Sequence, residues 1–148
     1  MSLKDRITED MKSAMKAGDK DRLKVVRLIL AAIKQVEVDT RKELDDTAVL
    51  GVLDKMVKQR RDSVEQFTKG GRDDLAAIEE AEISVLEGYL PAKMDDAELD
   101  ALIDEVIAAT GAASIRDMGK VMGAIKSRAA GRADMGVVGS RVKERLGA

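Results

Sequence analysis

A single proline in 148 residues makes helices the main way for this chain to fold. Pro91 lacks a backbone donor and disfavours a helical residue before it, so it punctuates the chain at one place only. On both sides of it, apolar residues recur at intervals of three and four rather than two. Only Phe67 and Tyr89 are aromatic, so the core must be built from Leu, Ile, Val, Met and Ala, which pack well between helices. Charged residues reach 36%, a proportion that suits long amphipathic helices and not a turn-rich β-sandwich. The expected fold class is all-α: multihelical, with about seven helices in two subdomains. An N-terminal helical bundle spans 1–91, and a three-helix tail domain spans 95–148.

Local signals place the elements. Ser2 caps a first helix that runs through Leu3, Ile7, Met11 and Ala14 to Gly18. Asp19 opens a second, whose broad apolar surface, with Val25, Val26, Ile29 and Ile33, predicts a central place in its bundle. After a polar loop at 39–46, Val49, Leu53, Met56 and Val57 trace a third helix up to Gly70 and Gly71. A fourth runs from about Asp73 through Leu75, Ile78, Val85, Leu86 and Tyr89, with acids in its first turns as the helix dipole favours. Beyond the 91–94 boundary, Asp95 and Glu98 have the spacing of a capping box at the start of a fifth helix ending at Gly111. Ser114 with Asp117 begins a sixth, and Asp134 caps a seventh.

Composition removes several kinds of chemistry. Without Cys there is no thiol nucleophile, disulfide or zinc-thiolate site, and without His general base work falls to Asp, Glu or Lys. No catalytic residues, metal site or cofactor are expected. The acids Glu79, Glu80, Glu82 and Glu87 are helical neighbours without a ligand loop and make a poor divalent site. The start of the chain is charged, and the longest apolar run, 28–33, falls far short of the roughly 20 residues that span a bilayer. A cytoplasmic protein without membrane contact is the expectation.

Charge is unevenly distributed. Residues 1–72 hold 17 Lys and Arg against 13 acids, residues 73–111 hold one base against 12 acids, and residues 112–148 hold 8 bases against 3 acids. A basic tail behind an acidic stretch favours internal attraction or a polyanion partner. Within the tail, Gly119 and Gly123 lie four apart on one helix face, each costing about 1 kcal/mol relative to Ala. Either another helix backbone approaches closely there, or a nucleic-acid backbone passes while Lys120, Lys126, Arg128 and Arg132 contact phosphates. Arg141 and Lys143 extend this candidate RNA-binding set onto the last helix. A secondary basic face lies at Lys55, Lys58 and Arg61, where salt bridges between turns are the plainer reading. With so few aromatics to stack bases, folded RNA fits better than single strands, and DNA is not expected.

The stretches 10–16 (DMKSAMK), 26–28 (VRL), 58–63 (KQRRDS), 79–83 (EEAEI), 89–91 (YLP) and the tail from Asp117 to Leu146 together resemble the GatB/YqeY family, specifically its stand-alone YqeY-like proteins. The resemblance implies a multihelical fold in two parts, with a tail similar to the C-terminal domain of the GatB component of the glutamine-dependent tRNA amidotransferase. It therefore implies a tRNA-interacting accessory protein related to that enzyme. Two alternatives accompany it. One is an interaction module for an amidotransferase or aminoacyl-tRNA synthetase complex, using the acidic stretch 73–105 and the tail glycine face. The other is carbon–nitrogen ligase activity, with glutamine as amide donor, only as part of a complex.

Overall fold

A computed structural model describes residues 1–147 as seven α-helices and one short 3-10 turn, with no strand among them. The chain forms two compact units that divide between Leu90 and Pro91. The first unit contains α1 (Leu3–Ala17), α2 (Lys20–Thr40), α3 (Asp46–Lys69) and α4 (Asp73–Glu87). The second contains α5 (Asp96–Thr110), a 3-10 turn (Ile115–Asp117), α6 (Met118–Ala129) and α7 (Met135–Gly147).

The helix ends follow the capping chemistry. Ser2 accepts from the Asp5 amide while Asp5 reaches back to the Ser2 amide, and Asp19 accepts from the Arg22 amide. Gly18 and Gly111 close α1 and α5 with φ of +69° and +68°, a left-handed turn that a side chain would resist. The capping box expected on α5 is only half formed. Asp95 accepts from the Glu98 amide at 2.7 Å, but Glu98 is drawn to Arg132 at 2.8 Å and does not turn back to the cap. At the 3-10 turn the box is complete: Asp117 accepts from the Ala113 amide at 2.9 Å and the Ser114 amide at 3.3 Å. These two donors hold its carboxyl below the usual carboxylate range, with a smaller pull from Lys120.

Each unit buries its own core. In the first, Ile7, Val25, Val26, Ile29, Ile33, Val49, Leu53, Val57 and Leu86 pack together, and α2 meets α1, α3 and α4 as its wide apolar surface predicts. Ile78 breaks the expected pattern: it is 52% exposed, because α4 turns Ala76 and Leu86 inward instead. In the second unit, Leu102, Ile103 and Val106 of α5 pack with Val121, Ile125 and Ala129 of α6 and Val138 and Val142 of α7. Burying each Leu, Ile or Val side chain contributes about 1.5–3 kcal/mol.

Tyr89 closes the first unit through a polar cluster that spacing alone did not announce. Its ring is buried, with the Arg6 guanidinium 5.2 Å and that of Arg22 6.0 Å from the ring centroid. Its hydroxyl donates to Asp10 at 2.5 Å and accepts from Arg22 at 3.4 Å. Burial first, then the hydrogen bond and charge of Asp10, push the phenol up to about 12, against an opposing pull from Arg22. A folded-state value above the unfolded one, near 10, stabilises the fold fully below pH 10. That stabilisation drains as pH rises from 10 through about 12. Denaturant titrations across this window should show the native chain losing about 1–2 kcal/mol more than Tyr89→Phe, allowing for solvent around Asp10 and Arg22. Lysine titration is common to both proteins, so parallel curves would refute the coupling.

Candidate functional site

The second unit holds nine Lys and Arg against nine Asp and Glu, so the basic tail is neutralised once α5 is counted with it. The neutralisation is built by spacing. Asp96, Asp100 and Asp104 recur every four residues along α5 and face Arg141 and Arg145, also four apart, on α7. Arg141 reaches Asp96 at 2.6 Å and Asp100 at 3.2 Å. Arg145 reaches Asp100 at 3.2 Å and also pairs with Asp104. On α6, Arg128 grips both oxygens of Glu105, at 3.0 and 3.2 Å. Arg132 donates to the Ala92 carbonyl at 2.7 Å and to Glu98, tying the 91–95 segment to the turn after α6. The pairings act on protonation as charge requires. Hydrogen bonding to Arg128 lowers the Glu105 pKa, while Glu105 raises that of Arg128 and Asp96 raises that of Arg141.

The candidate RNA-binding set therefore splits by residue type. Arg128, Arg132 and Arg141 are committed to α5 carboxylates or the backbone. Lys126 and Lys143 are exposed, and their side chains make no hydrogen bond or ion pair with any described residue. Lys120 is exposed and acts on Asp117 only through its charge. The same pairing uses up much of the acidic stretch that was expected to serve a protein partner. In α4, Glu82 lies 3.6 Å from Arg60 and Glu87 2.7 Å from Arg61.

Gly119 and Gly123 correct the close-approach expectation. Among the described residues nothing packs over them: a Cβ added at either would meet nothing within 4 Å. Tail glycines that do face a neighbouring element are Gly139 of α7, whose added Cβ would lie 3.8 Å from Met118 and 3.9 Å from Met122, and Gly147, whose added Cβ would lie 3.7 Å from Ile115. Gly119, Gly123 and Lys126 share one face of α6 through their spacing of four and three, and all three are exposed. The result is a strip of bare helix backbone flanked by lysine and open to solvent.

In the first unit, Lys55 is exposed and has no hydrogen-bond or ion-pair partner among the described residues, whereas Lys58 is engaged and Arg61 is held by Glu87. The secondary basic face thus reduces to one open cation. Three further open cations lie close together on α2, where the Lys20, Lys24 and Arg27 side chains make no hydrogen bond or ion pair with a described residue. Their spacing of four and three is legible in the sequence, but the apolar pattern of the same helix dominates it. Among the described residues, no three acidic side chains gather as a metal site requires, and no helix is long and apolar enough to cross a membrane.

These features define an all-helical protein of two units, the second internally charge-paired and carrying an open, lysine-flanked helix face. The chain belongs to the YqeY-like protein family, whose model matches residues 4–146. Relatives named "Altered inheritance of mitochondria protein 41, mitochondrial" include one from Lachancea thermotolerans, 36% identical over 68% of this chain and 56% of that protein. Another, from Eremothecium gossypii, is 40% identical over 58% of this chain and 48% of that protein. A third, from Pyrenophora tritici-repentis, is 31% identical over 97% of this chain and 80% of that protein. The chain spans about half the length of the first two. The expected cytoplasmic location does not stand, because these relatives are named as mitochondrial. Mitochondrial import uses amphipathic, Arg-rich segments, on which the lack of a long apolar run has no bearing.

Proposed function

We propose that the chain is a non-catalytic accessory protein that binds folded RNA, with tRNA as the RNA class, through the open face of α6. One observation carries this reading: Gly119 and Gly123 leave helix backbone bare beside Lys120 and Lys126, with no described residue within 4 Å of an added Cβ at either. Two helical glycines cost about 1 kcal/mol each, and no contact among the described residues offsets that cost. A phosphodiester backbone fits a strip without side chains, and lysines at its margins supply the counter-charge. Lys143 joins the contact set from α7. The choice of tRNA comes from the resemblance of the tail to the GatB component of the tRNA amidotransferase. In this reading any amide transfer from glutamine belongs to a larger complex, since the chain offers no Cys or His to serve as nucleophile or base.

Titration of the full chain with fluorescently labelled tRNA at two salt concentrations tests the proposal. Affinity should fall steeply with salt, because each phosphate contact releases counterions. Lys120→Glu/Lys126→Glu/Lys143→Glu should weaken binding by about tenfold or more at low salt, with an unchanged thermal midpoint. Absence of tRNA binding at low salt, or binding indifferent to the triple reversal, would sink it.

A further inference from the structure

We propose that the outward face of α2 is a docking groove for an acidic amphipathic helix of a partner protein. Lys20, Lys24 and Leu28 form one ridge of the helix surface at i, i+4 spacing, and Leu23, Arg27 and Ala31 form the next. Between and around these ridges lies an open groove of about 530 Å³ lined by those six residues. The opposite side of α2 supplies Val25, Val26, Ile29 and Ile33 to the core, so the groove remains after the unit has packed its own helices. Leu28 is 40% exposed within it.

The charges identify the occupant. Lys20, Lys24 and Arg27 are exposed within two turns, and no acid lines the groove with them. None of their side chains makes a hydrogen bond or ion pair with a described residue, whereas Arg22, Arg60 and Arg61 of the same unit each lie within ion-pair distance of a carboxylate. Like charges at this spacing repel, and a partner bearing carboxylates relieves the repulsion. The shape identifies the element. A groove between adjacent i±4 ridges accepts the i±4 ridge of a second helix, crossing at roughly −50°. That ridge would carry an apolar residue against Leu23, Leu28 and Ala31, and carboxylates against Lys20, Lys24 and Arg27.

Two other occupants fit less well. An interfacial membrane helix immerses its apolar stripe in the lipid, and the main stripe of α2 lies in the core. A nucleic-acid backbone would use the cations but gives Leu28 no role, and no aromatic residue lines the groove to stack a base. The residues involved are separate from those of the α6 face, so the two proposals fail independently.

The test uses the full chain, isotopically labelled, and two helical peptides of about 14 residues, roughly four turns. One carries Leu and Glu four residues apart along one face, and the other has every Glu replaced by Lys. The acidic peptide should shift the amides of residues 20–31. Lys24→Glu/Arg27→Glu should weaken it by about tenfold or more and confer binding of the Lys peptide. Leu28→Ser should weaken the acidic peptide several-fold, with an unchanged thermal midpoint. Absence of shifts at 20–31, or shifts insensitive to the charge reversal or to Leu28→Ser, overturns the proposal. A response of these amides to phosphatidylglycerol vesicles or to tRNA, with the acidic peptide silent, overturns it in favour of lipid or RNA.

Discussion

Replacing Asp96, Asp100 and Asp104 together by Asn is expected to raise the affinity for tRNA by roughly 100-fold at low salt. The reason is the ladder between α5 and α7. Arg141 and Arg145 face these three carboxylates, and Asp100 is shared between them. Neutralising the acids releases two guanidiniums, whose planar forks suit phosphate, and changes the balance of the unit from nine bases against nine acids to nine against six. The logarithmic salt dependence should steepen by about 0.7–0.9 for each arginine that reaches a phosphate. Stability should change little, since the pairs sit at the surface in solvent, where such bridges contribute weakly. Fluorescence anisotropy at several salt concentrations reads both quantities. If affinity and slope stay at their native values, the arginines are scaffold alone and the α5 acids do not gate the surface.

Gly119→Ala/Gly123→Ala should separate stability from binding. Both positions are helical, and an added Cβ meets nothing, so each substitution should stabilise the second unit by about 1 kcal/mol. For a unit of this size that amounts to several degrees in the thermal midpoint. The same methyl groups stand where the RNA backbone is proposed to pass, so tRNA affinity should fall by about tenfold. A more stable protein with undiminished RNA binding would remove the glycines from the interface. A less stable one would mean that the face is covered by something other than solvent.

The fold was legible because its signals are local. Ser2, Asp19 and Ser114 announce helix starts through bonds to amides two or three residues away, and Gly18 and Gly111 announce ends through a backbone turn. What the sequence left open depends on how each helix is rotated about its axis when it docks. Gly119, Gly123 and Gly139 are alike on paper, and only packing decides that Met118 and Met122 lie beside the third. Ile78 fits the apolar rhythm of α4 and still faces solvent. The site was harder to read for a related reason. Arg141 finds Asp96 across 45 residues of chain and Tyr89 finds Asp10 across 79, so no spacing rule distinguishes a committed arginine from an open lysine. Within the candidate RNA-binding set alone, residue type offered a hint: the planar guanidinium favours fixed carboxylate partners, and the flexible ammonium tolerates having none.

The equal numbers of opposite charges in the second unit bear on speed as well as strength. With no monopole, this unit casts no long-range field to draw a polyanion in, and the whole chain carries a formal charge of −2. An approaching phosphate backbone meets a body that is repulsive at one orientation and attractive at another. Encounter with the proposed RNA partner should then proceed at the unsteered rate of about 10⁵–10⁶ M⁻¹s⁻¹. Ionic strength should accordingly act on how long the complex lasts, while the rate at which it forms stays nearly constant.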